Sequence, residues 1–351
     1  MTHRASDPLR RARRRRVRRL AVFAGAMALL LAACRQDYPY NSLNPAGPVA
    51  DKQDELFTLV FWIAVGVFVL VEGLLVVALV RFRRRSADDT PKQVHGNTRL
   101  EMIWTVLPAL LLAGVAVPTV GTIFDLAERP AGEVVEVNVT GHQWWWEIEY
   151  PQHGVVTANE IHVPTDRPVV ATLTSNDVIH SFWVPRLAGK QDLVPGRTST
   201  LNFAAPEAGT YLGECAEFCG LSHALMLFRV VAQDPQDFEA WVNAQLQPAA
   251  APAPDTEEAK GLEYFRNFGT GSCLACHAVN GIEGATATIG PNLTHIGGRQ
   301  TIAAGILEMS DEELARWLRN PPAVKPGSKM PSYNLTDDQI EALVAYLRSL
   351  E

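Results

Sequence analysis

Cysteine is scarce in this chain, five residues in 351, and none is left over for a structural disulfide. Cys34 ends a signal-like segment, Cys215 and Cys219 share one short loop, and Cys273 and Cys276 belong to a Cys-x-x-Cys-His sequence. That spacing points to cofactors, not to a disulfide scaffold. Basic charge is scarce too, once the first residues are set aside. Residues 125–351 hold 14 Lys and Arg against 29 Asp and Glu, a local −15, whereas residues 1–33 carry nine Arg against one Asp, a local +8. The deficit excludes a nucleic-acid binder, which needs a basic footprint. It leaves the N-terminal Arg run to targeting. A chain of 351 residues is long enough for two or three domains.

Arg10 to Arg19 form a basic stretch, followed by an apolar run from Leu20 to Ala33. The run is shorter than the roughly 20 residues a bilayer span needs, and residues 1–33 fit a secretory signal peptide. Leu31-Ala32-Ala33-Cys34 resembles a bacterial lipobox, which predicts cleavage before Cys34 and a lipid on its sulfur; an ordinary cleavage site or an uncleaved anchor is the alternative. Residues 34–125 then hold two long apolar segments, about 56–80 and 103–124. The first ends in Arg81-Phe82-Arg83-Arg84-Arg85, which places the connecting loop in the cytoplasm by the positive-inside rule. The two spans form a hairpin in a cytoplasmic membrane, and everything from Asp125 onward lies on the extracytoplasmic side. Glu72 sits inside the first span, where an acid should face protein or water; no role for it follows from the sequence.

Residues 126–245 change character. Glu133 to Thr140 alternates as a strand does, as do Val169 to Thr174 and Thr198 to Phe203, with Gly and Pro between. Many short strands with turn signals predict a β-sandwich. Residues 246–255, rich in Pro and Ala, read as a semi-rigid linker. Residues 256–351 carry helical patterns: Glu257–Phe268 is amphipathic. Ser310 with Glu313, and Thr336 with Gln339, each spell a capping box before a helix. The expected end of the chain is a small all-α domain wrapped on more than its own modest core.

Four potential metal ligands crowd the loop Cys215 to Met226: Cys215, Cys219, His223 and Met226. Sulfur with imidazole suits copper or zinc and argues against magnesium or calcium at these ligands. The thioether favours copper, since zinc sites use Cys, His and carboxylate. One thiolate would suggest a mononuclear centre; two, four residues apart, could bridge a copper pair. A pair needs a second imidazole, and His180 in Val178 to Pro185 is the candidate. A Cys/His zinc site, or a disulfide with an incidental His, is the alternative. With copper in this loop, the sandwich is expected to be a cupredoxin-like Greek-key barrel.

Cys273-Leu274-Ala275-Cys276-His277 is a c-type haem attachment sequence. Two thiols add to the haem vinyl groups and the imidazole becomes an axial ligand. The opposite ligand is expected to be Met, which raises the potential of an electron carrier. Met330, in the Gly327–Pro331 loop, and Met309 are the choices.

The Cys215–Met226 loop and His180-Ser181-Phe182-Trp183-Val184-Pro185 resemble subunit II of haem–copper cytochrome c oxidases, over roughly residues 50–245. Residues 256–351 resemble a class I cytochrome c, so the whole resembles a subunit II with a fused cytochrome c. The resemblance implies a dicopper CuA centre held by His180, Cys215, Cys219, His223, Met226 and the carbonyl of Glu217. It implies a Mg²⁺ or Mn²⁺ ion shared with subunit I through the Glu217 side chain; a plain surface Glu is the alternative. It favours Met330, which precedes Pro331, as the haem ligand, and likens Pro291-Asn292-Leu293 to the loop at the haem edge. In Gly141-His142-Gln143-Trp144-Trp145-Trp146 it makes Trp144 the place where cytochrome c delivers electrons. The family commonly has Tyr at the position of Trp145. Strand alternation alone keeps the three Trp from facing one core, so at least one is expected to be exposed. Glu101 would lie at the mouth of a proton pathway, or serve simply as a helix-start carboxylate.

The activity so implied is that of aerobic cytochrome c oxidase: electrons pass from cytochrome c and the chain's own haem through CuA to subunit I, where dioxygen is reduced with proton pumping. The chain shows no dioxygen-reducing centre, so subunit I, and with it subunit III, are the implied partners. The rivals are an electron-donating subunit of a nitric oxide reductase and a non-enzymatic copper-binding lipoprotein. A quinol oxidase subunit would lack the copper ligands found here.

Overall fold

In the computed structural model the described residues are 38–84, 86, 90 and 93–351, with isolated positions at 18, 21, 22 and 25. The lipobox and Cys34 lie outside them. Helix α1 (Pro48–Arg81) starts with Pro at its first turn, where a missing N–H costs nothing. Helix α2 (Thr98–Ala127) starts from Asn97, whose side chain accepts the N–H of Leu100. Mean hydropathies of 2.8 and 2.0 over their most apolar stretches suit both helices to cross a membrane. Ala50 is the only buried residue of α1 and α2 has none, so these surfaces need lipid or protein around them. At 34 and 30 residues the helices overrun the apolar segments at both ends. Helical hydrogen bonding continues past the hydrocarbon edge, which hydropathy alone marks.

A sandwich sits on this hairpin. The Ala46 N–H donates to the Arg186 carbonyl at 2.7 Å and Ala50 N–H to Leu187 at 3.2 Å. Asn202 donates to the carbonyls of Leu126 and Glu128 at the end of α2. One sheet runs β3 (Val155–Ala158), β2 (Trp145–Tyr150), β1 (Val135–His142), β5 (Val169–Ser175), β8 (Ser199–Phe203). The other runs β4 (Glu160–Pro164), β10 (Leu227–Gln233), β9 (Gly209–Cys215), β6 (His180–Trp183), β7 (Gln191–Leu193). The pairs β1–β5 and β10–β4 are parallel and the others antiparallel, as crossed-over Greek-key strands require. Val135, Val137 and Val139 point into the core while Glu136, Asn138 and Thr140 between them do not, so the alternation of β1 holds. The centre is aromatic: Trp146, Phe182 and Phe228 pack with centroids 4.4 to 5.9 Å apart.

Helix α3 (Pro235–Gln245) closes the sandwich and hands the chain to the last domain. The Pro/Ala stretch is not a free tether at its start. Ala249 N–H donates to the Asn280 carbonyl at 2.8 Å, and His295 lies within 3.2 Å of the carbonyls of Gln245 and Gln247.

In the last domain α4 (Glu257–Arg266) crosses α7 (Asp337–Arg348), with α5 (Asp311–Arg319) and the short α6 (Pro321–Val324) beside them. Gly261 makes the crossing close: a Cβ there would lie 2.0 Å from the Ala342 carbonyl oxygen. Thr336 and Gln339 form the full reciprocal capping box. Ser310 accepts from Glu313 N–H, but the Glu313 side chain turns to Arg316 instead of returning, so only half of that box forms. A small hairpin, β11 (Thr301–Ile302) with β12 (Leu307–Glu308), interrupts the otherwise helical domain.

Candidate functional site

Two strands and one loop bring the sulfur-rich cluster together. Phe182 of β6 pairs with Cys215 of β9, which sets His180 beside the start of the loop. The loop closes on itself, Cys215 N–H donating to the Met226 carbonyl at 3.0 Å. Its donor atoms form a connected set. Sγ of Cys215 is 3.7 Å from Sγ of Cys219, 3.9 Å from Nδ1 of His180 and 3.3 Å from the carbonyl of Glu217. Sγ of Cys219 is 3.7 Å from Nδ1 of His223 and 3.9 Å from Sδ of Met226. Both thiols are free and buried, too far apart for a disulfide. His180, Cys215 and Cys219 are grouped tightly enough to share an ion.

The two thiols shift one another in opposite directions. Cys215 and Cys219 share a sulfur–sulfur hydrogen bond, and this contact, with a second from His180, lowers the Cys215 thiol against the opposing effect of burial. Its partner Cys219 is pushed up by the same Cys215 contact and by burial. Asp177 was not singled out by the sequence. Its carboxylate, at 2.8 Å from His180 Nε2, fixes the ring so that Nδ1 faces the sulfurs. Burial would raise Asp177, but hydrogen bonds from His180, Gln143 N–H and Val178 N–H hold it below the usual range. The donor set fits a pair of copper ions: two thiols, two imidazoles and a thioether face one another at 3.7 to 3.9 Å.

A cavity of about 430 Å³ lies in the last domain, reached by Cys273, Cys276, His277 and Met330. His277 Nδ1 is 2.9 Å from the Pro291 carbonyl, which leaves Nε2 as the free ring nitrogen. Met330 lines the cavity; Met309 does not, and it stands just before Ser310, the N-cap of α5. Arg299 also lines it, with its Nε buried and without a protein partner. Burial lowers the Arg299 guanidinium to about 10. An apolar cavity with two thiols, one imidazole, one thioether and an orphaned guanidinium nitrogen fits a haem with its carboxylates.

The two centres meet at Trp144. Its indole N–H donates to the Cys219 carbonyl at 3.1 Å. On the other side, Lys325 of the last domain donates to the Trp144 carbonyl at 2.6 Å. Gly327 presses on the ring: at φ +79°, with a Cβ position 2.8 Å from Trp144 Cη2, only glycine fits. The expectation of an exposed tryptophan fails for this reason. Trp144 is 8% exposed under the last domain, Trp146 is in the core, and Trp145 is half-buried, stacked on His142 at 4.3 Å. Around Trp144 the interface is polar. Glu160, 2% exposed, accepts from Gln300 N–H at 3.1 Å, Thr301 N–H at 2.8 Å and the Thr301 hydroxyl at 3.0 Å. Arg229 reaches Gln300 and Glu308, and Leu227 N–H donates to the Ala304 carbonyl.

The remaining residues lie apart from this cluster. The Glu217 side chain is half-exposed and within 3.9 Å of Lys190, away from the sulfurs its carbonyl meets. Glu101 turns back on its own helix, its Oε1 accepting the Asn97 N–H at 3.3 Å. Glu72 is exposed along α1.

Three family descriptions match the chain: the transmembrane domain of cytochrome c oxidase subunit II over residues 40–121, its periplasmic domain over 153–233, and cytochrome c over 259–351. The chain is similar to the cytochrome c oxidase subunit 2 of Alkalihalophilus pseudofirmus, 40% identical over 332 residues that make up 93% of this chain and 95% of that protein. Cytochrome c oxidase subunit 2 of a Bacillus species, strain PS3, is 42% identical over 352 residues, 95% of this chain and 97% of that one. Among solved structures, the periplasmic domain of subunit II of cytochrome oxidase from Bradyrhizobium japonicum is 28% identical, covering 33% of this chain and 96% of that domain, at a TM-score of 0.32.

Proposed function

As the chain belongs to the cytochrome c oxidase subunit II family and carries a cytochrome c domain, we propose that it feeds electrons from its own haem, across Trp144, to a CuA pair and on to subunit I of a proton-pumping oxidase. The observation that carries this reading is the double engagement of Trp144: its ring bonds the copper loop and its carbonyl bonds the haem domain. Bound at their sites, haem c and the copper pair would each supply a one-electron carrier. The protein's part is to hold them close and dry.

In this reading His180, Cys215, Cys219, His223, Met226 and the Glu217 carbonyl hold the copper. Asp177 keeps the His180 ring from turning. Cys273 and Cys276 would attach the haem through their thiols, and His277 and Met330 would supply ligands to its iron. Packed side chains keep these ligands from rearranging: Met226 and His180 are wholly buried. A site that cannot relax changes little between redox states, which suits rapid transfer. The Glu217 side chain is assigned to a Mg²⁺ or Mn²⁺ ion shared with subunit I. Glu101 is assigned to a proton pathway into subunit I, although its contact with Asn97 also satisfies the start of α2. Subunit III and a soluble cytochrome c complete the partners, and the two apolar helices set the chain in the bacterial cytoplasmic membrane as a hairpin. Cleavage at residue 33 and lipidation of Cys34 belong to the same reading, as do domain limits near 125, 245 and 255.

Electron paramagnetic resonance of the copper-loaded protein tests it. One unpaired electron shared equally by two coppers is the expected result. A single-copper hyperfine pattern, or tightly held zinc, would overturn the assignment.

A further inference from the structure

Lys325 is 4% exposed and sits where the two domains meet. An ammonium has three N–H donors and no acceptor. Two of them are used, on the Trp144 carbonyl at 2.6 Å and the Ala303 carbonyl at 3.0 Å. Among the described residues no carboxylate forms an ion pair with it. Burial pushes the ammonium down to about 7, and Cys219 offsets that only in part. A buried charge without a counter-charge is costly, and the usual remedy is a partner.

Lys325 also lines the haem cavity, together with Arg299, whose Nε is orphaned. Resting on the haem reading above, we propose that the third N–H of Lys325 pairs with a propionate carboxylate of the bound haem. One side chain would then tie the haem, through its own carboxylate, to the backbone of Trp144. Lys325 is a positioning residue in this scheme. It fixes the haem relative to the ring that leads to the copper loop, and its charge bears on the haem itself. Reduced haem carries one positive charge fewer than oxidised haem. A cation beside it therefore favours reduction, and removing the cation should make the haem easier to oxidise.

The test uses the full chain in detergent, loaded with haem, as wild type, Lys325→Gln, Lys325→Met and Lys325→Arg. Mass and absorbance first report covalent haem; its absence from the wild type would refute the haem reading itself. With haem attached, Gln and Met should each weaken the reduction equilibrium about tenfold, a fall of about 59 mV for one electron. The propionate bending band in the resonance Raman spectrum should shift in both, and Arg should return potential and band toward wild type. Lys325→Met keeps an apolar stem in place, so packing survives if Gln disturbs it. A wild-type potential and an unmoved propionate band in both neutral variants would overturn the pairing. A drop in thermal stability alone, with potential and band unchanged, would do the same, because a mere latch between domains gives that result.

Discussion

Glu160 is the residue on which docking of the two domains can be tested most directly. It lies in β4 of the sandwich, yet both carboxylate oxygens accept from the start of the other domain's hairpin, at Gln300 and Thr301. Oε1 takes two donors, so the amide oxygen of Glu160→Gln should take that place. The amide nitrogen would then face the Gln300 N–H, donor against donor. One buried N–H left unsatisfied costs about 1–3 kcal/mol. Glu160→Ala strands all three donors and should cost about 3–5 kcal/mol, even with some rescue by water. Each 1.4 kcal/mol is tenfold in an equilibrium, so the docked-to-undocked ratio should fall about 10-fold for Gln and at least 100-fold for Ala. The linker preserves a high effective concentration, and recapture stays intramolecular. Flash reduction of the haem, followed at the copper absorbance, measures the outcome. Wild type should transfer in one fast phase independent of protein concentration. Glu160→Ala should lose most of that amplitude to a slower phase that still does not depend on concentration. Unchanged copper and haem spectra would show that both sites survive. A full fast phase in Glu160→Ala would refute the claim that this contact holds the domains together.

Further outcomes follow from single contacts. Trp144→Ala should slow haem-to-copper transfer by at least tenfold while leaving both spectra intact, since the ring bridges to Cys219 but is no ligand; an unchanged rate would remove it from the path. Met330→Leu should abolish the sulfur–iron absorption band and lower the haem potential, whereas Met309→Leu, outside the cavity, should do neither; optical titration of the two variants decides. Gly261→Ala gains about 1 kcal/mol of helix propensity but drives a Cβ to 2.0 Å from a backbone oxygen of α7. Overpacking against backbone should win by about 2 kcal/mol or more, seen as a lower thermal midpoint of the haem domain. A raised midpoint would show that α4 and α7 part easily.

What the sequence makes legible is whatever depends on near neighbours. The alternation of Val135, Val137 and Val139, the two apolar runs, and the cap at Thr336 each rest on spacing of a few residues, and each is found as expected. The clustering of sulfur and imidazole is legible because four of the side chains, Cys215, Cys219, His223 and Met226, are local and the fifth, His180, stands in a motif. Where local rules have a competitor, the reading slips. Glu313 has Arg316 one turn on, and an i,i+3 pair displaces the return half of the capping box. Strand alternation treats the tryptophan run as one continuous strand. A turn at residues 143–144 instead separates β1 from β2 and resets which way each ring faces.

The docking face was illegible for a deeper reason. Glu160, Arg229, Lys325 and Asp177 each look like ordinary charged residues of a strand edge or loop, and nothing within their own segments distinguishes them from solvated ones. Their partners stand far along the chain: Glu160 meets Thr301, Lys325 meets Trp144, and Asp177 has Lys329 at 3.5 Å. A polar interface of this kind leaves no hydrophobic pattern to read, because hydrogen bonds to backbone carbonyls and N–H groups do the matching. The linker composition suggested only reach. Its pinned start at Ala249 and the Trp144–Lys325 contact together turn reach into one orientation, with the haem cavity of one domain closed in part by residues of the other. With Trp144 covered in that way, a soluble cytochrome c would have to deliver its electrons to the haem domain, and the path from there to the copper loop would be internal to the chain.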